Sequence, residues 1–199
     1  MASTEDLEDT LPLHDSSPFS NTLDKRWPIY CMVAFDNQEL RQLENDINKA
    51  EDSTDQSILI ARPNLSGSTL RDVYEHHIQL RDEHKEIHPS LFIAVDQKNY
   101  RIGGVLIVDL QVMTEHGQSV IGVLRCGCDD ADLYCANLDM SNMSFIDYKE
   151  EEQRLWHGSN PYENSRYFSK QQTPLAQPSG TLHYAWYSNV EMGMGLSRS

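Results

Sequence analysis

Few of the residues that mark specialised protein classes occur in this chain. Only four of its 199 residues are cysteine, Cys31, Cys126, Cys128 and Cys135. That is too few for the disulfide framework of small secreted domains, so the thiols are read as reduced and the protein as intracellular. No apolar run approaches the ~18 residues of a membrane-spanning helix, which excludes an integral helical membrane protein. Basic residues are scarce: 16 Lys and Arg stand against 31 Asp and Glu, a formal net charge of -15. Such a chain repels phosphate backbones, and no stretch concentrates Lys and Arg, so no nucleic-acid partner is expected. The G-x-G-x-x-G and G-x-x-x-x-G-K-S/T signatures of nucleotide sites are absent, as is the G-x-S-x-G elbow of α/β hydrolases. The acidic start, Met1 to Asp9, lacks the basic and apolar segments of a secretory signal. The expected location is cytoplasmic, or nuclear, with no membrane partner.

What is present reads as one α/β domain between two polar ends. Residues 1–26 carry Glu5, Asp6, Glu8, Asp9, Asp15 and Asp24 among Ser, Thr and Pro, the composition of a disordered acidic arm. Ile29 to Phe35 is a continuous apolar run of strand length, suited to a strand covered on both faces. Asp36 and Glu39 stand at capping-box positions, and Leu40, Leu43 and Ile47 follow at helical spacing, predicting a helix over 37–50. Ser57 to Ala61 is a second short strand. Thr69 opens a second helix, with Leu70, Val73, Tyr74, His77 and Ile78 on one face, running to Ile87 and closed by His88-Pro89. Leu91–Val95, Val105–Val108 and Val120–Leu124 supply three more strands, the last preceded by a hairpin-like turn at Glu115-His116-Gly117. A short helix or turn covers Asp129 to Asn137, and Asn142 is placed to cap a last helix over 144–156. The expected architecture is a five-stranded mixed sheet flanked by helices over residues 27–156. Beyond it, 157–199 is an irregular tail whose cluster Leu182-His183-Tyr184-Ala185-Trp186-Tyr187 suits docking on the domain or on a partner.

The groups able to carry chemistry are few. On a helix His77, Arg81, His84 and His88 lie along one stripe, steps of four, three and four residues, so His77, His84 and His88 are the candidate metal ligands. The spacing is not that of a zinc protease, and a solvated charged face explains the same pattern. Asp96 and Asp109 each follow an apolar strand, where open parallel sheets place ligands, and are the acidic candidates for catalysis. A strand-ending Asp is equally a turn former. Cys126, Cys128 and Cys135 lack a fourth zinc ligand, and Cys31 sits in an apolar strand where a thiol is inert.

Three segments carry a family resemblance: Leu91 to Asp96, Val105 to Leu110, and Asn137-Leu138-Asp139-Met140-Ser141-Asn142-Met143-Ser144-Phe145-Ile146-Asp147-Tyr148. Over roughly residues 27–152 the chain resembles a bacterial and fungal family, domain of unknown function six-nine-two-four. Its members share a strand ending in Asp, one ending in Val-Asp-Leu, and an Asn-Met-Asp-Phe motif. Here Asn142-Met143-Ser144-Phe145 stands at that motif, so Ser144 replaces an acid and argues against acid catalysis there. The resemblance implies a compact α/β domain and no particular reaction.

The sequence therefore points to an accessory or regulatory binding protein, with a protein or small-molecule partner and no cofactor. The alternative is a small cofactor-free or metal-dependent lyase, isomerase or hydrolase in small-molecule or secondary-metabolite biosynthesis. That enzyme would line a pocket at strand ends with Asp96, Asp109 and the histidines. A third reading makes the acidic arm and aromatic tail an interaction platform.

Overall fold

The computed structural model describes residues 11, 12, 15, 22, 24–50, 53–114 and 117–156. Five strands, β1 (Trp27–Cys31), β2 (Ser57–Leu59), β3 (Leu91–Val95), β4 (Val105–Met113) and β5 (Ser119–Cys126), form one sheet in the order β2-β1-β3-β4-β5. β1 runs parallel to both β2 and β3, while β4 is antiparallel to β3 and to β5. The helices are α1 (Asn37–Ile47), α2 (Leu70–Glu83), the short α3 (Tyr100–Gly103), α4 (Ala131–Asp139) and α5 (Phe145–Trp156).

Both faces of the sheet are covered, which is why β3 reads as an unbroken apolar run; of the expected strand Ile29 to Phe35 only residues 29–31 lie in β1, which starts at Trp27. On one face Trp27, Ile29, Ile93, Ile107 and Leu124 pack against Leu43 and Ile47 of α1 and against Tyr134, Cys135, Phe145 and Tyr148 of α4 and α5. On the other, Tyr30, Phe92, Ala94, Leu106 and Val108 meet Leu70 and Val73 of α2. Leu11 joins this second core, and Asp15 pairs with Arg81 of α2 at 2.8 Å, so the acidic arm contributes these two residues to the packing. The rest of the arm before Asp24, apart from Pro12 and Thr22, lies outside the described residues, as do Glu115-His116 and the 157–199 tail with its aromatic cluster. Among the described residues no helix is long and apolar enough to cross a membrane.

Caps fix where the helices begin. Asp36 Oδ1 accepts from Gln38 N at 2.7 Å and Glu39 N at 2.8 Å, while Asp36 N donates to Glu39 Oε2, the capping box expected from the sequence. α1 stops at Ile47 because Asn48 turns its side-chain amide to Glu44 O and Ser57 O. α2 ends at Glu83, short of the expected Ile87. His84 N closes on Leu80 O, and the chain then runs beside Arg26, with Arg26 N donating to Glu86 O and His88 N to Arg26 O. α5 is started by Ser144 and not by Asn142: Ser144 Oγ accepts from Asp147 N, and Asp147 Oδ2 accepts from Ser144 N and Oγ. Asn142 is held back on Asn137, its N donating to the Asn137 carbonyl at 2.9 Å.

The sheet's two outer strands are finished by helix side chains. On β2, Leu59 N donates to Glu44 Oε1 at 2.9 Å, and Ser57 O accepts from Asn48 Nδ2 at 3.0 Å. On β5, Arg125 N donates to Glu152 Oε1 at 2.9 Å, and Val123 O accepts from Lys149 Nζ at 2.8 Å.

Asp132 of α4 is fully buried and gathers the loop before β2. Its Oδ2 accepts from Ser53 Oγ, Thr54 N and Thr54 Oγ1, and its Oδ1 from Gln56 N, Ser57 N and Ser57 Oγ, over 2.6–3.3 Å. Removing the carboxylate takes the acceptor from the buried Ser57 hydroxyl and from the part-buried amides of Thr54 and Gln56, while Ser57 N keeps Asn48 Oδ1 at 3.2 Å; each buried bond left unmade costs ~1–3 kcal/mol. Asp132→Ala is expected to lower the unfolding free energy by about 3 kcal/mol or more, and Asp132→Asn by less, both read from urea denaturation midpoints. A loss under about 1 kcal/mol for the alanine variant would contradict this account.

Candidate functional site

The parallel strands dictate where a ligand fits best. From β1 the chain crosses over one face through α1 to β2, then returns over the other face through α2 to β3 on the far side of β1. The carboxyl ends of β1 and β3 are therefore a topological switch point, where the outgoing loops separate and leave a crevice. A crevice of about 310 Å³ lies there. From the β1 side it is lined by Phe35 and Asp36 and by Gln38, Glu39 and Gln42 of α1; from the β3 side it is lined by Lys98, Asn99, Tyr100 and Arg101.

Each wall is held by its own bonds. Phe35 and Tyr100 meet edge to face, ring centres 5.9 Å apart. Asp46 of α1 draws the two walls together, accepting from Tyr100 Oη at 3.0 Å, Arg101 Nε at 2.7 Å and Gln42 Nε2 at 3.0 Å. Burial works to raise the Asp46 carboxyl, but these bonds outweigh it and hold it below the usual range. Burial, with Asp46 as its hydrogen-bond acceptor, pushes the Tyr100 phenol up to about 12. Gly104 ends α3 with φ of 70°, a left-handed conformation that glycine adopts without a Cβ penalty.

The two acidic candidates part company. Asp96, at the carboxyl end of β3, is spent on Arg125 of β5 in a two-pronged ion pair, Oδ1 to Nη1 at 3.0 Å and Oδ2 to Nη2 at 2.7 Å. Arg125 also donates to Gly103 O, so this pair anchors the loop that carries Lys98 to Arg101 without entering the crevice. Asp109 faces the opposite rim. β4 is antiparallel and pairs Asp109 with Leu91, the first residue of β3, roughly 13 Å along the sheet from Val95. It does not end its strand either, because β4 continues past an irregularity to Met113. Burial, with Asp139 nearby, pushes the Asp109 carboxyl up to about 6, against a hydrogen bond from Gln111 N that works to lower it.

The histidine stripe also divides, because α2 ends before His84. His77 is fully buried on the second face. Its Nε2 faces Pro89 O at 3.3 Å, an acceptor, so Nε2 carries the proton and Nδ1 accepts from Tyr30 Oη at 3.0 Å. His88 is buried near Trp27 of the first face; its Nδ1 accepts from Ser90 N and Leu91 N while Nε2 donates to Asp139 Oδ1 at 3.0 Å. His84 is exposed and pairs with Glu86. The three candidate ligands do not converge, and among the described residues no group of three or more His, Cys, Asp or Glu is placed to hold a metal ion. All four thiols are free; burial raises each, Cys31 and Cys128 to about 12, so none is a ready nucleophile near neutral pH.

The crevice residues gave one signal in the sequence, the Asp36/Glu39 capping box. Gln97 to Tyr100 is a short polar stretch between two apolar runs with no motif of its own, and the roles of Asp46 and Arg101 depend on contacts 54 and 55 positions apart.

The buried His77 and the half-buried Asp109 give stability opposite dependences on pH. Desolvation lowers the His77 imidazole to about 3 from its usual 6.5, so the unfolded chain binds the extra proton and stability rises with pH between those values. Asp109 acts in reverse: raised from 3.8 to about 6, it binds the extra proton in the folded state, so stability falls with pH across that window. Between about pH 4 and 6 the two slopes oppose. Asp109→Asn is expected to leave the His77 slope unopposed, steepening the gain in stability with pH by up to about 1.4 kcal/mol per unit. Urea denaturation of both proteins at pH 4, 5 and 6 reads the difference, and parallel curves would contradict it. Comparison of the chain with protein-family models, curated proteins and solved structures finds no match to any of them.

Proposed function

We propose that this chain acts by binding, as an accessory or regulatory domain whose small polar ligand enters the crevice between the ends of β1 and β3. The observation that carries the reading is the coincidence of the switch point with an open crevice. Its walls are polar and aromatic, and its buried groups are already tied to one another. The side chains best suited to covalent or acid–base work lie elsewhere: His77 and His88 are enclosed and locked in one tautomer, Asp96 is committed to Arg125, and the thiols are held protonated. The segments Leu91–Asp96, Val105–Leu110 and Asn137–Tyr148 support placing the chain in the family of domain of unknown function six-nine-two-four, which brings no reaction with it.

One observation favours a second reading. Asp109 has a carboxyl raised to about 6, a value at which a carboxylic acid exchanges protons near neutral pH. That supports the small lyase, isomerase or hydrolase, working at the opposite rim.

A thermal-shift and amide-resonance screen against cationic, neutral and anionic metabolites separates them, because a ligand of the native state raises its melting temperature. The expected result is a hit that moves the resonances of Gln38, Asn99 and Arg101 and is lost in Gln38→Trp, which fills the crevice mouth from an exposed position. Turnover of a panel compound, abolished by Asp109→Asn and indifferent to Gln38→Trp, would replace the binding reading with the enzymatic one.

A further inference from the structure

The crevice already holds a positively charged group belonging to the chain itself. Lys98 Nζ lies 5.7 Å from the centre of the Phe35 ring and 3.0 Å from Glu39 Oε2. An ammonium over an aromatic face and against a carboxylate is the arrangement by which proteins recognise organic cations. Lys98 reaches this position from a loop and stays 62% exposed, so little packing fixes it there.

From this geometry we infer that the crevice is a site for an aliphatic ammonium ligand, a small diamine or polyamine, and that Lys98 occupies it as an intramolecular substitute in the ligand's absence. The inference rests on the crevice being the binding site, and it names the chemistry of the occupant.

Three further features favour a cation. The carboxylate oxygens in the crevice are only partly committed: Asp36 Oδ1 takes the two helix amides and Glu39 Oε2 takes Asp36 N and Lys98, so that among the described residues Asp36 Oδ2 and Glu39 Oε1 are left for a ligand. The second cation of the walls, Arg101, is tied to Asp46 and stacked over Tyr100, so its charge is partly neutralised before any ligand arrives. The whole chain carries a net charge of -15, which concentrates small cations around it. The crevice volume of about 310 Å³ accommodates an alkyl chain along the Phe35 and Tyr100 rings.

An intramolecular occupant makes an unusual demand: removing a positive side chain must strengthen binding and not merely alter it. Spermidine and cadaverine are titrated into the full chain at 0.05 and 0.3 M salt, with amide resonances and calorimetry as readouts. The expected result is movement confined to residues 36–42 and 98–101. Lys98→Met should tighten binding about three- to fivefold, the factor set by releasing one exposed ion pair. Glu39→Gln, which keeps the capping-box acceptor, and Phe35→Leu should each weaken it by a similar factor. Unchanged or weaker binding in Lys98→Met overturns the inference. Shifts scattered over the acidic surface and abolished by salt overturn it too, because they report counter-ion condensation. If an anionic or neutral compound moves the crevice resonances and neither amine does, the crevice remains the binding site and the ammonium inference falls. If no compound moves them, both fall together.

Discussion

The Asp132 carboxylate is the buried anchor at the end of the parallel half of this sheet. A loop of Ser, Thr and Gln has little apolar surface with which to hold itself against a core, and the strand it introduces is only three residues long. Asp132 supplies a buried acceptor that the loop's amides and hydroxyls converge on, joining α4 to a segment more than 70 positions earlier in the chain. The position of β2 sets the outward crossing through α1. That crossing makes the return through α2 pass to the other side of β1. The switch point, and the crevice in it, follow from where that short strand is pinned.

Several other buried polar groups are paired in the same way, although the Trp27 Nε1 and His76 Nε2 nitrogens have no hydrogen-bond partner among the described residues. Arg125 answers Asp96 and the Gly103 carbonyl; Asp46 answers Tyr100, Arg101 and Gln42; His88 answers two amides and Asp139. Such networks are costly when incomplete and rigid when complete. Their distribution around the crevice is informative. The Asp96–Arg125 pair anchors the loop on one wall, and the Asp36 cap fixes the other, so the groups between them are presented by supports that do not themselves need to bind anything.

Local chemistry made the strands and the start of α1 readable from the chain alone. The run at Leu91–Val95 and the Asp36/Glu39 box are signals contained in a few consecutive residues, and the structure places elements there. What local signals could not convey was direction and distance. Whether β4 runs with or against β3 decides which rim receives Asp109, and nothing within Val105 to Asp109 encodes that. The helical spacing of His77, His84 and His88 is real, but α2 is ended by the pairing of 86–88 with Arg26, a partner 60 or more positions away. Asp132 is the extreme case: one acid among several in a Cys- and Asp-rich stretch, marked out only by what folds onto it.

The side chains that finish the two outer strands have a consequence for how molecules of this chain meet. A sheet with unsatisfied outer amides and carbonyls invites another strand to continue it. Here Glu44 and Asn48 occupy those positions on β2, and Glu152 and Lys149 occupy them on β5. At these positions a visiting strand would have to displace a helix's own side chains before making its first hydrogen bond. Continuation of the sheet by a sixth strand is therefore disfavoured at Leu59 and Ser57 on one edge and at Arg125 and Val123 on the other.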